Sequence, residues 1–127
     1  MAVTEHIRYS DSPFRAKTVC TSHVLDALGI PSDSYRYSGT ERQLLRLARR
    51  RWGLRSVRSR LGRNATVGGS RRRLEAIAKD DQDIVAFVVI VSGHVLLVNP
   101  WGRTIVDTDP RERDARPIVS IYAVRSK

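Results

Sequence analysis

The sequence predicts an α+β fold, with helices in the first half and an antiparallel sheet of about four strands in the last third. Three observations carry this reading. Apolar residues recur at helical spacing up to about residue 52. A continuous β-branched run, Ile84–Val91, opens the last third, as a strand buried on both faces should. Short apolar segments separated by turn residues then follow it. Helices first and strands afterwards is the α+β order.

Taken in chain order, residues 1–13 form an N-terminal segment without a clear period, ending in the turn-forming Ser10-Asp11-Ser12-Pro13. A first helix is expected over 18–28, since Val24, Leu25 and Leu28 share one face and Gly29 stands where a left-handed terminating residue belongs. Pro31 prevents its continuation. Residues 32–37 suit one short helical turn. A second helix starts with Thr40 as N-cap and Glu41 in the first turn, and carries Leu44, Leu45, Leu47, Ala48 and Trp52 as one apolar stripe. Residues 53–70, rich in Arg and Gly and containing Asn64, are expected to be a loop with at most a short extended piece. Ser70 is placed to cap a short helix through Ala78. Strands are expected at 84–91, 94–99, 103–108 and 117–124, with Asn99-Pro100-Trp101-Gly102 as a type I turn between the second and third.

The chain has 127 residues, which suits one domain spanning 1–127, and its 41% apolar content suffices for one modest core. No apolar stretch is long enough to cross a bilayer, so no membrane role is expected. The polar start does not read as a secretory signal. A lone cysteine fits a reducing compartment, where it is either a packed small hydrophobe or a nucleophile. A cytoplasmic location is therefore expected.

Cys20 falls at the first turn of its helix, where unpaired N–H groups and the helix field favour a thiolate. A base is still needed, and His94, opening a strand after Ser92-Gly93, is the best placed. If Asn99 and Gly102 pair around the turn, His94 lies directly opposite Asp107, with the two side chains on one face. A carboxylate there can orient the imidazole and stabilise its protonated form. A bulge at Gly102 would shift this register by one residue and turn Asp107 to the other face. Asn99, Thr108 and Asp109 are the fallback orienting residues, and His23 and His6 the alternative bases. The residues alone also permit a plainer reading: a packed Cys20, a surface His94, and an Asp107 that begins a turn.

These residues carry a resemblance. Cys20, Ala27-Leu28-Gly29-Ile30-Pro31, Gly93-His94, Gly102 and Asp107-Thr108, in that order, resemble small phage-encoded papain-like proteins. The chain also resembles the bacteriocin-leader peptidases, which share the order Cys, His, then Asp or Asn. The resemblance covers about residues 14–124. It implies a papain-like fold, Cys20 as nucleophile, His94 as general base and then acid, and Asp107 as orienter. The implied reaction is acyl transfer from an amide, isopeptide or ester of a peptide or protein substrate, without a metal or other cofactor. The chain departs from the family in lacking Gln or Asn in residues 14–19. Its oxyanion donors would be the Cys20 N–H with Thr18, Lys17 or Ser12. That departure opens the alternative of an inactive papain-like module, or of a structural component of a virion.

Charge is the other strong feature. Lys and Arg number 23 against 13 Asp and Glu, a net of +10. Arg49, Arg50, Arg51, Arg55, Arg58, Arg60, Arg63, Arg71, Arg72 and Arg73 concentrate in the central third, where Trp52 and Tyr35 offer stacking surface. Such a stretch is either a solvated face or a surface for nucleic acid or an acidic host protein. No zinc-ligand spacing or phosphate loop accompanies it. Any binding through it should weaken steeply with salt.

Overall fold

The computed structural model describes residues 21, 23–30, 41–107 and 114–127. The first helix, α1, is helical at 21 and 23–27. Gly29 adopts φ +79°, as its position predicts. The Ile30 N–H donates to the Leu25 carbonyl at 2.9 Å and the Gly29 N–H to the Asp26 carbonyl at 3.0 Å. These two bonds are the Schellman pair that closes a helix C-terminus, and Leu25 and Ile30 join the same apolar cluster. The Leu28 carbonyl is taken by the indole Nε1 of Trp52 at 2.6 Å.

Helix α2 runs Glu41–Ala48 and buries Leu44, Leu45, Leu47 and Ala48. It stops four residues short of the expected Trp52, because the chain turns through 49–51 to reach a strand. That strand, β1 (Gly53–Ser56), corrects the loop expected over 53–70 and makes the sheet five-stranded rather than four-stranded. With Leu54 as its only large apolar residue, it has no alternating pattern of its own. It forms because the last strand, β5 (Ile118–Arg125), offers an open edge to pair with. The segment that follows is pinned by buried Val57, Leu61 and Val67. It contains two 3₁₀ turns, Arg58–Arg60 and Gly68–Ser70, the second leading into helix α3 (Arg71–Asp80). Ser70 does occupy the N-cap, but its hydroxyl makes no capping bond, since the preceding turn has already begun the helix.

Strands β2 (Ile84–Val91), β3 (His94–Val98) and β4 (Thr104–Val106) complete a sheet of order β1-β5-β2-β3-β4, all antiparallel. The α+β arrangement is therefore present, with layers of helix, sheet and helix. Central β2 explains why. Its Ala86, Val88 and Ile90 meet Val24, Leu28, Leu44 and Leu47 of α1 and α2 on one face. Its Phe87, Val89 and Val91 meet Leu74 and Ile77 of α3 on the other. A strand apolar on both faces requires cover on both. No described helix is long and apolar enough to cross a membrane.

Candidate active site

The β3–β4 connection sets the site's geometry. The Gly102 N–H donates to the Asn99 carbonyl at 3.0 Å, closing the expected turn, and Gly102 takes φ +80°. The Asn99 side chain accepts from the Trp101 and Arg103 N–H groups, both at 3.0 Å. Asn99 thus shapes the turn and does not orient His94. A left-handed residue after a type I turn inserts one extra residue, and Val98 accordingly pairs with Thr104 instead of Arg103. A second irregularity follows at once, so that Leu97 pairs with Val106. Two slips of one residue restore the original facing. Carried one residue further, this register sets Asp107 beside Leu96, two positions along from His94 on the same side of β3. Such diagonal neighbours, ~7–8 Å apart at the backbone, are within reach of long side chains.

The side chains do meet. His94 Nε2 lies 2.7 Å from Asp107 Oδ1. Asp107 is only 4% exposed, and its second oxygen, Oδ2, accepts from Arg116 Nη2 at 3.0 Å. Both basic side chains are themselves 14% exposed. A buried carboxylate without charge compensation would cost several kcal/mol, and here it has an imidazole on one oxygen and a guanidinium on the other. With Nε2 engaged by the carboxylate, any proton exchange between this ring and a nucleophile would pass through Nδ1. Asp107 holds His94 and not His23, which sits half-buried on α1.

Arg116 was not signalled by the sequence. The buried Asp107 requires a cation, but Arg103, Arg111, Arg113 and Arg116 all flank it in sequence, and composition cannot choose among them. The choice follows from Arg116 standing next to the isolated Thr66–Pro117 bridge at the entry to β5, which brings it back to the end of β4.

A cavity of about 280 Å³ opens at this end of the sheet. The β2–β3 hairpin, with Ser92, Gly93 and His94, forms one wall; Thr21 of α1, Glu41 of α2 and the exposed Val119 of β5 contribute the others. Thr21 is the residue after Cys20 in the sequence. Cys20, Lys17, Thr18, Ser12, His6, Thr108 and Asp109 lie outside the described residues. No protein-family model, curated protein or solved structure matches the chain.

The expected basic surface is not one surface. Arg49, Arg50 and Arg51 follow α2 on one face of the sheet, and Arg71, Arg72 and Arg73 begin α3 on the other. Three of the expected members are tied into the fold, Arg58 through the Gly62 and Arg63 carbonyls. Arg55 pairs with Asp81 at 3.2 Å. Arg71 donates to the Gly102 carbonyl and Thr104 Oγ1, each at 3.0 Å, and to Asp114 at 2.7 Å. Trp52, expected as stacking surface, is half-buried with Arg51 over its ring at 5.1 Å, and Tyr35 lies outside the described residues. Among the described residues no group of His, Cys, Asp and Glu is arranged to hold a metal ion.

Proposed function

We propose that this chain is a papain-like thiol hydrolase that cleaves an amide, isopeptide or ester bond by acyl transfer. The observation that carries the reading is the His94–Asp107 pair at 2.7 Å, on a cavity that also includes the residue next to Cys20. An imidazole locked by a buried carboxylate is what a thiol nucleophile needs and what a merely structural surface histidine does not.

In this mechanism His94 Nδ1 takes the proton of the Cys20 thiol, and the sulfur attacks the substrate carbonyl carbon. The carbonyl oxygen becomes an oxyanion, held by the Cys20 N–H with a donor from Thr18, Lys17 or Ser12. The oxyanion collapses, the carbon–nitrogen or carbon–oxygen bond breaks, and the imidazolium gives its proton to the leaving group. Water, deprotonated by His94, then attacks the thioester, and the thiol leaves as Cys20 is regenerated. Asp107 holds the ring in position throughout, and Arg116 offsets its buried charge. A phage origin, with the protein working in the host cytoplasm or carried in a virion, belongs to the same reading.

The test is acyl-enzyme capture. The full chain is incubated with a panel of activated esters and peptide thioesters, and the intact mass is read after acid quench. A mass increase localised to Cys20, absent in Cys20→Ala and in His94→Ala, is the expected result. No acylation of wild-type protein, or acylation equal in His94→Ala, would overturn the proposal.

A further inference from the structure

A second cavity, of about 330 Å³, lies away from the His94 site, where the 57–70 segment meets the start of α3. Gly62, Asn64, Thr66, Gly69, Ser70 and Arg73 line it. We infer that this basin is a phosphate-binding site, taking a phosphate group through the Ser70 hydroxyl and the Arg73 guanidinium. The inference does not depend on the hydrolase reading.

Three observations support it. Ser70 is 3% exposed, yet its hydroxyl makes no cap bond and no other side-chain hydrogen bond among the described residues. Buried hydroxyls are ordinarily satisfied, and one left open on a cavity wall marks a place where a ligand or water completes the set. Arg73 is exposed and has no ion pair or side-chain hydrogen bond among the described residues, whereas Arg55, Arg71, Arg116 and Arg125 are all engaged. Its Nη1 reaches back over Gly62, 3.9 Å from where a Cβ would stand there. The basin is also pre-formed. Arg58 donates to the Gly62 and Arg63 carbonyls at 3.1 and 3.2 Å, and Ala65 accepts from the Ile118 N–H at 2.9 Å.

The charge balance selects an anion. Arg60, Arg63 and Arg72 stand exposed in the flanking sequence. The carboxylate of Asp114, beside Gly68, is already paired with Arg71. The recognition is assigned to side chains and not to a backbone cradle at 67–70, because the amides of those four residues are taken. Those of Val67 and Gly68 donate to the Arg116 and Asp114 carbonyls, that of Gly69 to Thr66 Oγ1, and that of Ser70 to the Thr66 carbonyl. Thr66 Oγ1 accepts that bond and keeps its own O–H to give, as Asn64 has its amide N–H₂. A guanidinium with two or three neutral donors is a set suited to phosphate oxygens.

The phosphate can belong to a small phosphomonoester or to a nucleic-acid backbone, and titrations of the full chain followed by amide NMR separate the two. Inorganic phosphate is one probe and an oligothymidylate without terminal phosphates is the other. Saturable shifts at the Gly62, Gly69 and Arg73 amides are expected with at least one of them. Binding of phosphate alone points to a monoester, and stronger binding of the oligonucleotide points to a backbone. Ser70→Ala and Arg73→Ala should each weaken the response by about tenfold, while Arg50→Ala on the opposite face leaves it unchanged. Arg73 is exposed, so its variant stays informative even if Ser70→Ala folds poorly. Shifts that do not saturate with either probe, or an Arg73→Ala variant that binds both as wild type does, would overturn the inference.

Discussion

Two aspartates each hold two basic side chains, and the difference between them separates architecture from chemistry. Asp81, just after α3, accepts from Arg125 Nε at 2.7 Å and from Arg55 Nη2 at 3.2 Å. Its partners are both guanidiniums, on β5 and β1, and it ties the helix exit to the sheet's edge. Asp107 is more deeply buried and shares its carboxylate between one guanidinium and one imidazole. A guanidinium cannot give up its proton in a protein, whereas an imidazole exchanges one near neutral pH. The same carboxylate chemistry therefore makes a clamp at one end of the sheet and an orienting group at the other.

The comparison is broken most severely at Asp107. Asp107→Ala removes the buried carboxylate that Arg116 and His94 share, and should destabilise by about 3–5 kcal/mol in urea unfolding. Asp107→Asn keeps the shape and should cost less, while still lowering Cys20 reactivity through loss of the charge that stabilises the imidazolium. A next-largest loss is expected at the turn that sets the pairing. In Gly102→Ala the new Cβ would come 2.4 Å from the Arg71 carbonyl oxygen at a φ of +80°. A cost of about 1–3 kcal/mol is expected in the same unfolding measurement, together with a weakened His94–Asp107 contact.

The Asp81 clamp is sharpened by pH. The hydrogen bond from Arg125, first among its causes, holds the Asp81 carboxyl below the ordinary aspartate value. A carboxyl with a lowered folded-state pKa adds stability above its unfolded value of about 3.9, and that stability is lost as pH falls through the folded value. Thermal unfolding of Asp81→Asn against wild type should thus differ at pH 6, and the difference should shrink only as the pH falls below about 4 and through the lowered folded-state value. The smallest effect is expected at Arg50, exposed after α2, where Arg50→Ala should change unfolding stability by no more than about 0.5 kcal/mol.

Much of this was legible in the residues, and the exceptions share one cause. Ile84–Val91 declared a two-faced strand, Gly29 a left-handed helix end, and Asn99–Gly102 a turn, because each is a local decision between chain and solvent. The His94–Asp107 pair was anticipated by counting across that turn, although the count itself was off. The slip at Gly102 was foreseeable from turn chemistry, and the second, beside Leu97, was not. The second slip is what returns Asp107 to the His94 face. Strand β1 and Arg116 were invisible for a related reason. Each is decided by β5, a partner about seventy residues away from β1 and separated from Asp107 by the charged sequence 108–116. The Arg run likewise looked continuous in the chain but is divided by the sheet, since α2 and α3 cover opposite faces.

The central claim, that His94 and Asp107 serve a thiol, is tested most directly by the pH dependence of Cys20 alkylation on folded protein. Wild type, His94→Ala and Asp107→Asn are compared with a neutral alkylating reagent. The account predicts that wild-type reactivity persists well below pH 7, falls in Asp107→Asn, and falls furthest in His94→Ala. A Cys20 that titrates near ~8.5 in all three proteins, as an unperturbed cysteine does, would contradict it.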